Sequence, residues 1–278
     1  MASKITLDLY SSDVGHSFST ATEFAKHLTS LTLESYKTGA DIVVFPEYTW
    51  MGLEKFVDKK NSLSEISHLF WNQLWPQIKN DLNQPNKVLI MGSCPFLIES
   101  TSKFTNRCPI LCQEKETFQE KLQLTPWETS FQSGNTVNVI NFKNLRIAVL
   151  ICFDIEFPEL SLRLKEEKID LLVVPSACES ILGVERVNRC ASARAIELGA
   201  FVGVSHLLGE TESELVDLNL GGLSLYTPSQ SPFKDSKRQQ STQIFKKGFH
   251  RLRKSLDFDL LTQMRSLKME TNPSLVKV

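Results

Sequence analysis

No stretch of this 278-residue chain is apolar over roughly eighteen residues, the minimum for a membrane-spanning helix. Its start, Met1-Ala2-Ser3-Lys4 running into Ile5-Thr6-Leu7-Asp8-Leu9, alternates and carries acid, unlike the long apolar core of an export signal. A cytoplasmic protein with no membrane partner is expected. Charge of one sign is missing too: 31 Lys and Arg stand against 32 Asp and Glu, a net charge of -1. That balance supplies no global field for holding DNA, RNA or an anionic surface, so no nucleic-acid partner is expected. The six cysteines (Cys94, Cys108, Cys112, Cys152, Cys178, Cys190) include no C-x-x-C pair. The five histidines (His16, His27, His68, His206, His250) are scattered, with no H-E-x-x-H. Such spacings support no metal site, and without an export signal the thiols are expected to be free. Low-complexity tracts, linkers and internal repeats are absent. A composition of 41% hydrophobic and 23% charged residues excludes disordered, collagen-like and coiled-coil chains.

What is present is a recurrence of short apolar, β-branched runs: Ile5 to Leu9, Ile42 to Phe45, Val88 to Met91, Leu145 to Ile151, Leu171 to Val174 and Phe201 to Val204. Several are apolar throughout, as strands buried on both faces require. Between them lie stretches with helical spacing, such as Phe24, Leu28, Leu31 and Leu33 before Gly39, and Ala191 to Leu198 before Gly199, each closed by a glycine suited to a helix C-cap. Alternating strands and helices predict an α/β protein, and residues 1–278 read as a single domain. One segment, 234–254, is locally basic, with eight Lys or Arg against Asp235 alone. It reads as a solvated surface strand and its loop, because Phe245 and Phe249 fit strand alternation.

Chemistry in an α/β protein gathers at the carboxyl ends of the strands. Four segments place polar or reactive residues there: Phe45-Pro46-Glu47, Lys121 to Glu128, Leu150 to Glu159 with Cys152 inside it, and Val174-Pro175-Ser176-Ala177. Each has a plain structural reading when taken alone. Glu47 caps a strand end, Lys121 is a solvated charge, and Cys152 is one more small buried hydrophobe.

Taken in order, these pieces change the reading. Asp41 to Glu47, Lys121 with Leu124, Cys152-Phe153-Asp154 leading to Phe157-Pro158-Glu159, Val174 to Ala177, and Ala193-Arg194-Ala195-Ile196-Glu197 together resemble the nitrilase, or carbon-nitrogen hydrolase, superfamily. Weaker echoes of its closing strands follow in Gly221 to Pro228 and in Leu256 to Leu260. The resemblance implies a single carbon-nitrogen hydrolase domain with a four-layer α-β-β-α sandwich. It also implies a Cys-Glu-Lys triad that works without cofactor on amides, carbamoyl groups or nitriles, in a homodimer or higher homo-oligomer. Carried onto this chain, Cys152 is the nucleophile, Glu47 the base and Lys121 the oxyanion partner. Glu128, the backbone N–H of Phe153, Ser176 and Ala177 are supporting or substrate-binding positions. Asp154 reads as a structural partner of the local turn, and Arg194 with Glu197, three residues apart, as a supporting ion pair.

The residue types fit such chemistry. A free thiol has a pKa of about 8.5 and needs a base to become a nucleophile. A glutamate in apolar surroundings such as Phe45, Pro46 and Trp50 has its pKa raised toward that task. A fixed ammonium stabilises the oxyanion more in the transition state than in the ground state. The leading expectation is a thiol hydrolase that cleaves a small linear amide through an acyl-enzyme on Cys152. One departure stands out: Glu156 lies where the family commonly has arginine, which puts the local salt bridges and any borrowed substrate preference in question. Two rivals remain: a Cys-His hydrolase pairing Cys152 with His206, and a catalytically silent scaffold or metabolite-binding protein on the same fold.

Overall fold

The computed structural model describes residues 4–58, 60, 62–213 and 215–267. The first three residues of the stretch read for an export signal therefore lie outside the described residues. Two sheets form the centre. The first runs, edge to edge, through Arg251–Asp257, Lys4–Tyr10, Ile42–Phe45, Val88–Met91, Lys103–Cys112 and Cys94–Ile98, with Lys115–Glu120 also paired to Lys103–Cys112. The second runs through Gln239–Ser241, Ser224–Tyr226, Phe201–Glu210, Leu171–Ser176, Leu145–Val149 and Val139–Phe142. Each sheet has parallel strands at its middle and antiparallel strands toward its rims.

Strand Ile42–Phe45 explains why the apolar runs are continuous. All four side chains are fully buried. Ile42 and Val44 join the cluster shared with Ile147, Val149 and Leu171 of the second sheet. Val43 and Phe45 join the opposite cluster with Phe24 and Leu28 of helix Ala21–Lys37. Successive side chains of a strand point to opposite faces, so a strand covered on both sides must be apolar at every position. The sheets meet face to face where a Cβ added to Gly203 would lie 3.2 Å from Leu9 and 3.4 Å from Leu7. Helices cover the outer faces, giving the four-layer α-β-β-α sandwich.

Helix Ala21–Lys37 starts at Thr20, whose side chain accepts from the N–H of Glu23 at 3.1 Å. Its buried stripe is Phe24, Leu28, Thr32 and Tyr36; Leu33, expected on that stripe, is 39% exposed. The i, i+4 spacing holds, but two of its members are polar, and one of them is buried through a hydrogen bond. Thr32 Oγ1 donates to Leu28 O at 3.0 Å, and Tyr36 follows one turn later. Helix Ile181–Leu198 is capped by Ser180 at its start and by Gly199, at φ 53°, at its end.

Two expectations for the C-terminal part need correction. Phe245 and Phe249 sit in the loop between strands Gln239–Ser241 and Arg251–Asp257, not in a strand. Phe245 stacks on His250 at 3.6 Å, and Phe249 packs on His27 and His16. Aromatic alternation came from ring stacking in a loop. Leu256 to Leu260 is only half strand: Asp257 caps helix Phe258–Ser266 by accepting from the N–H of Asp259. The excess of basic residues has a local use here. Arg253 makes a bidentate pair, 2.7 Å on each arm, with Asp8, which is fully buried on the neighbouring strand Lys4–Tyr10. Among the described residues no helix is long and apolar enough to cross a membrane.

Candidate active site

Glu47, Lys121 and Cys152 reach one cavity of about 240 Å³ at the carboxyl ends of the central strands. Each arrives by its own turn. Strand Ile42–Phe45 ends at Pro46, and the chain turns over Glu47 into Tyr48, which has φ 54° and whose N–H donates to Ser93 Oγ at 2.9 Å. Gly92, at φ 71°, lets that turn approach; a Cβ there would lie 2.4 Å from Pro46 O and 2.7 Å from Thr49 Oγ1. Backbone atoms so close cannot swing away as a side chain can. Gly92→Ala is therefore expected to lower stability by about 1–3 kcal/mol, read as a fall in the thermal unfolding midpoint. It should also lower any rate that depends on Glu47.

Lys121 follows strand Lys115–Glu120, and its own N–H donates to Asn106 O at 2.9 Å. Cys152 opens a short 3₁₀ turn, Cys152–Glu156, after strand Leu145–Val149, and it holds φ 48°. A left-handed conformation in a residue with a Cβ costs about 1–3 kcal/mol and persists only when neighbours impose it. Asp154 is the imposing neighbour, and this is the structural role expected of it. Its carboxylate accepts from the N–H groups of Ile151 (3.0 Å), Leu122 (3.0 Å) and Gln123 (2.7 Å), tying the cysteine turn to the residues that follow Lys121. Burial pushes its pKa up to about 7, against the pull of Lys121 and those three donors. Asp154→Asn keeps one carbonyl acceptor but turns an NH₂ toward backbone donors. It is expected to cost about 1–3 kcal/mol, measured by chemical denaturation, and to loosen Cys152 and Lys121 together.

The centre of the site holds one cation between two carboxylates. Lys121 Nζ lies 2.8 Å from Glu47 Oε1 and 2.9 Å from Glu128 Oε2, with the side chains of all three at most 2% exposed. Burial pushes the ammonium toward the neutral form, yet the two glutamates outweigh it and keep Lys121 charged. A single positive charge cannot neutralise two carboxylates, so the surroundings divide them. Glu128 accepts from Tyr48 OH at 2.5 Å, from the Thr125 N–H at 2.8 Å and from Thr125 Oγ1 at 3.1 Å. Burial works against its charge, but Lys121 and these donors hold its carboxyl below the usual carboxylate range. Glu47 accepts from Asn106 Nδ2 at 2.8 Å and from the Ala177 N–H at 2.9 Å. For Glu47 burial prevails over Lys121, with Glu128 adding like-charge repulsion, and its pKa is raised. The apolar setting expected from Phe45, Pro46 and Trp50 is thus only part of the cause.

Cys152 is 6% exposed. Its Sγ donates to Ala177 O at 3.4 Å and shares the cavity with Glu47 and Cys178, both of which act on it electrostatically. The contact with Cys178, followed by burial and the charge of Glu47, raises its pKa well above that of a free thiol. Cys152 is therefore a thiol at rest, with a carboxyl of raised pKa beside it. Phe153 and Ala177 line the cavity, but Ser176 does not; it is fully buried and its Oγ has no hydrogen-bond partner. Glu156 lines the cavity mouth and pairs with Arg186 of helix Ile181–Leu198 at 3.2 Å, so the reversed charge has a matching cation. Arg194 pairs with Glu197 at 2.9 Å, and its guanidinium also donates to Ile155 O at 3.3 Å, bracing the cysteine turn from behind. His206, the rival partner for Cys152, instead interacts with Cys178.

Sequence reasoning missed Tyr48, Asn106 and Cys178. Tyr48 adjoins Glu47, and its phenol is a buried donor. Asn106 reaches both glutamates from strand Lys103–Cys112, at 2.8 Å and 3.2 Å, and is fully buried. Among the described residues no three His, Cys, Asp or Glu side chains are grouped to hold a metal ion.

Comparison with known proteins places this geometry. The family model described as carbon-nitrogen hydrolase matches residues 10–226. Over 217 residues, 76% of the chain, it is 25% identical to the probable hydrolase YhcX of Bacillus subtilis (strain 168), covering 42% of that protein. The chain spans about half the length of the curated relatives it matches. Among solved structures, Saccharomyces cerevisiae Nit3, a member of branch 10 of the nitrilase superfamily, superposes with a TM-score of 0.69. That match has 20% identity over 94% of this chain and 93% of Nit3. The NitN amidase from Neterenkonia sp. AN1 gives a TM-score of 0.68 at 18% identity, over 93% of this chain and 95% of that one. A family match that passes through Glu47, Lys121, Glu128 and Cys152 and takes in strands of both sheets leads to one conclusion: the chain belongs to the carbon-nitrogen hydrolase family of the nitrilase superfamily.

Proposed function

We propose that this protein hydrolyses the carbon–nitrogen bond of a small linear amide through a thioester on Cys152, without a cofactor. The observation that carries this reading is the buried trio of Lys121, Glu47 and Glu128, with the Cys152 thiol in the same cavity. Glu47 takes the thiol proton as Cys152 attacks the carbonyl carbon. The oxyanion then forms beside Lys121 and the N–H of Phe153. Glu47 returns the proton to the departing amine, and the thioester remains. Water enters where the amine left; Glu47 takes its proton, and the acid departs as Cys152 recovers its thiol. Glu128 keeps Lys121 charged and in place, and burial of Glu47 against the donors Tyr48 and Thr125 on Glu128 keeps the two carboxyls apart in pKa.

The size of the cavity favours a substrate of few atoms. That one structurally similar protein is an amidase favours amide over nitrile, an argument by likeness of fold alone. The test is to incubate the protein with a panel of short aliphatic amides and follow ammonia release, with mass spectrometry of the intact chain after rapid quenching. An acyl adduct on the peptide containing Cys152 is expected with the best substrate. Ammonia release unchanged in a folded Cys152→Ala protein would remove the thioester from the mechanism.

A further inference from the structure

The proposed hydrolysis leaves one reactive group in the cavity without a role. Cys178 is 7% exposed, lines the same cavity as Cys152 and directly follows Ala177, whose carbonyl accepts from the Cys152 thiol at 3.4 Å. The two come from adjacent parallel strands. Leu145–Val149 pairs with Leu171–Ser176 in the register Val149 with Val173, which continued three residues sets Cys152 beside Ser176, two positions before Cys178. The bond from Cys152 Sγ to Ala177 O, 3.4 Å, holds the turn and the strand end together at this point.

Behind Cys178 lies His206, which is fully buried. Its Nδ1 is 2.8 Å from Gly222 O, and a carbonyl can only accept, so Nδ1 carries the proton of the neutral ring. Nε2 is then an acceptor. It has no hydrogen-bond partner among the described residues, and the segment Leu220 to Gly222 that packs on the ring also holds Cys178, whose carbonyl accepts from the Leu220 N–H at 3.0 Å. Gly221 packs closely on the ring, since a Cβ there would lie 2.4 Å from His206 Cβ and 2.5 Å from Cγ. Cys178 thus has a fixed base on one side and a second thiol on the other. Contact with Cys152, with His206 adding to it against the cost of burial, draws its pKa well below that of a free thiol.

We infer that Cys152 and Cys178 form a peroxide-reactive dithiol, which closes into a reversible disulfide and blocks the nucleophile. The proton of Cys178 passes to His206 Nε2, and the thiolate attacks the outer oxygen of a hydroperoxide. A sulfur–oxygen bond forms, the oxygen–oxygen bond breaks, and the leaving alkoxide or hydroxide takes the proton from His206. Cys178 is now a sulfenic acid. Cys152 gives its proton to Glu47 and attacks the Cys178 sulfur; the sulfur–sulfur bond forms, and the departing hydroxide leaves as water with that proton. Two thiols have been oxidised and one hydroperoxide reduced to an alcohol or water, with a second water released. A dithiol reductant reverses the change.

The test reads the bond itself and needs no substrate, so its failure is separate from failure of the proposed hydrolysis. The full chain is reduced, freed of reductant, treated with hydrogen peroxide near equimolar amount, alkylated under denaturing conditions and digested without reduction. The expected result is a linked pair of peptides containing Cys152 and Cys178, about 2 Da lighter than their sum, with free thiols falling from six to four and restored by dithiothreitol. Cys152→Ser should instead leave a sulfenic acid on Cys178 that dimedone captures, and Cys178→Ser should give no linkage. The inference is overturned if wild-type Cys152 reaches the sulfinic state, about 32 Da heavier, while Cys178 stays a free thiol. It is equally overturned if the pair stays reduced at a dose that oxidises the half-buried Cys190.

Discussion

Cys152→Ala is expected to lower kcat/KM by about 10⁴-fold or more, with the fold retained, because it removes the sulfur that would form the thioester. Removing one sulfur from a residue already 6% exposed costs only about 1 kcal/mol, so circular dichroism and thermal unfolding should stay close to wild type. Cys152→Gly sharpens the test. Cys152 sits at φ 48°, where glycine rests without strain. The glycine variant should therefore be as inactive as the alanine variant but more stable by about 1 kcal/mol. Alanine and glycine variants of equal stability would show that the turn carries no strain. The remaining wild-type rate should fall on acidification above the usual carboxylate range. Burial raises the pKa of Glu47, and a protonated Glu47 cannot accept the thiol proton. A rate flat down to pH 4 would remove Glu47 as the base.

Lys121 carries the second large effect, and here activity and stability move together. Lys121→Arg keeps the charge but spreads it over a planar fork that cannot sit between Glu47 and Glu128 at 2.8 and 2.9 Å. A loss of about 10²-fold or more in kcat is expected for both Lys121→Arg and Lys121→Met, the size seen when an oxyanion donor is removed. In Lys121→Met the two glutamates lose the cation between them and are left buried, an arrangement that destabilises by about 3–5 kcal/mol. Without the ammonium both carboxyls have folded-state pKa values above their unfolded ones. The folded state then binds more protons, and stability falls as pH rises through those raised values. The methionine variant should accordingly lie furthest below wild type at neutral pH and recover toward it in mild acid. Denaturant titrations at several pH values read this directly. A methionine variant equally destabilised at every pH would mean that lost packing, not uncompensated charge, is the cause.

The strands were legible because burial on both faces leaves a mark that needs no partner to be seen. Ile42–Phe45 and Val88–Met91 lie where their apolar runs predicted, and Gly199 ends its helix as expected. Phe245 and Phe249 misled for the same reason in reverse: their spacing matched a strand, but what buries them is stacking on His250, His27 and His16. The residues able to do the chemistry were also legible, since a cysteine, a glutamate and a lysine at strand ends differ in kind from the apolar runs before them.

Their working states were not legible, because those arise from contacts between residues far apart in the chain. Glu47 meets Lys121 across 74 residues and the Ala177 N–H across 130. Which glutamate is held charged and which is pushed toward the neutral acid depends on burial and on donors gathered in space, Tyr48 and Thr125 on Glu128. Nothing in the local pattern of Cys178 or His206 separates them from ordinary core residues, and only the packing of adjacent strands beneath Gly221 and Gly222 sets the imidazole against one thiol and that thiol against the other. The sequence alone determined the layered α/β architecture and the kinds of reactive group, because both follow from local periodicity and residue chemistry. The tertiary structure decided protonation, pairing and which cysteine has which neighbour, because electrostatic effects fall with distance in space and not along the chain.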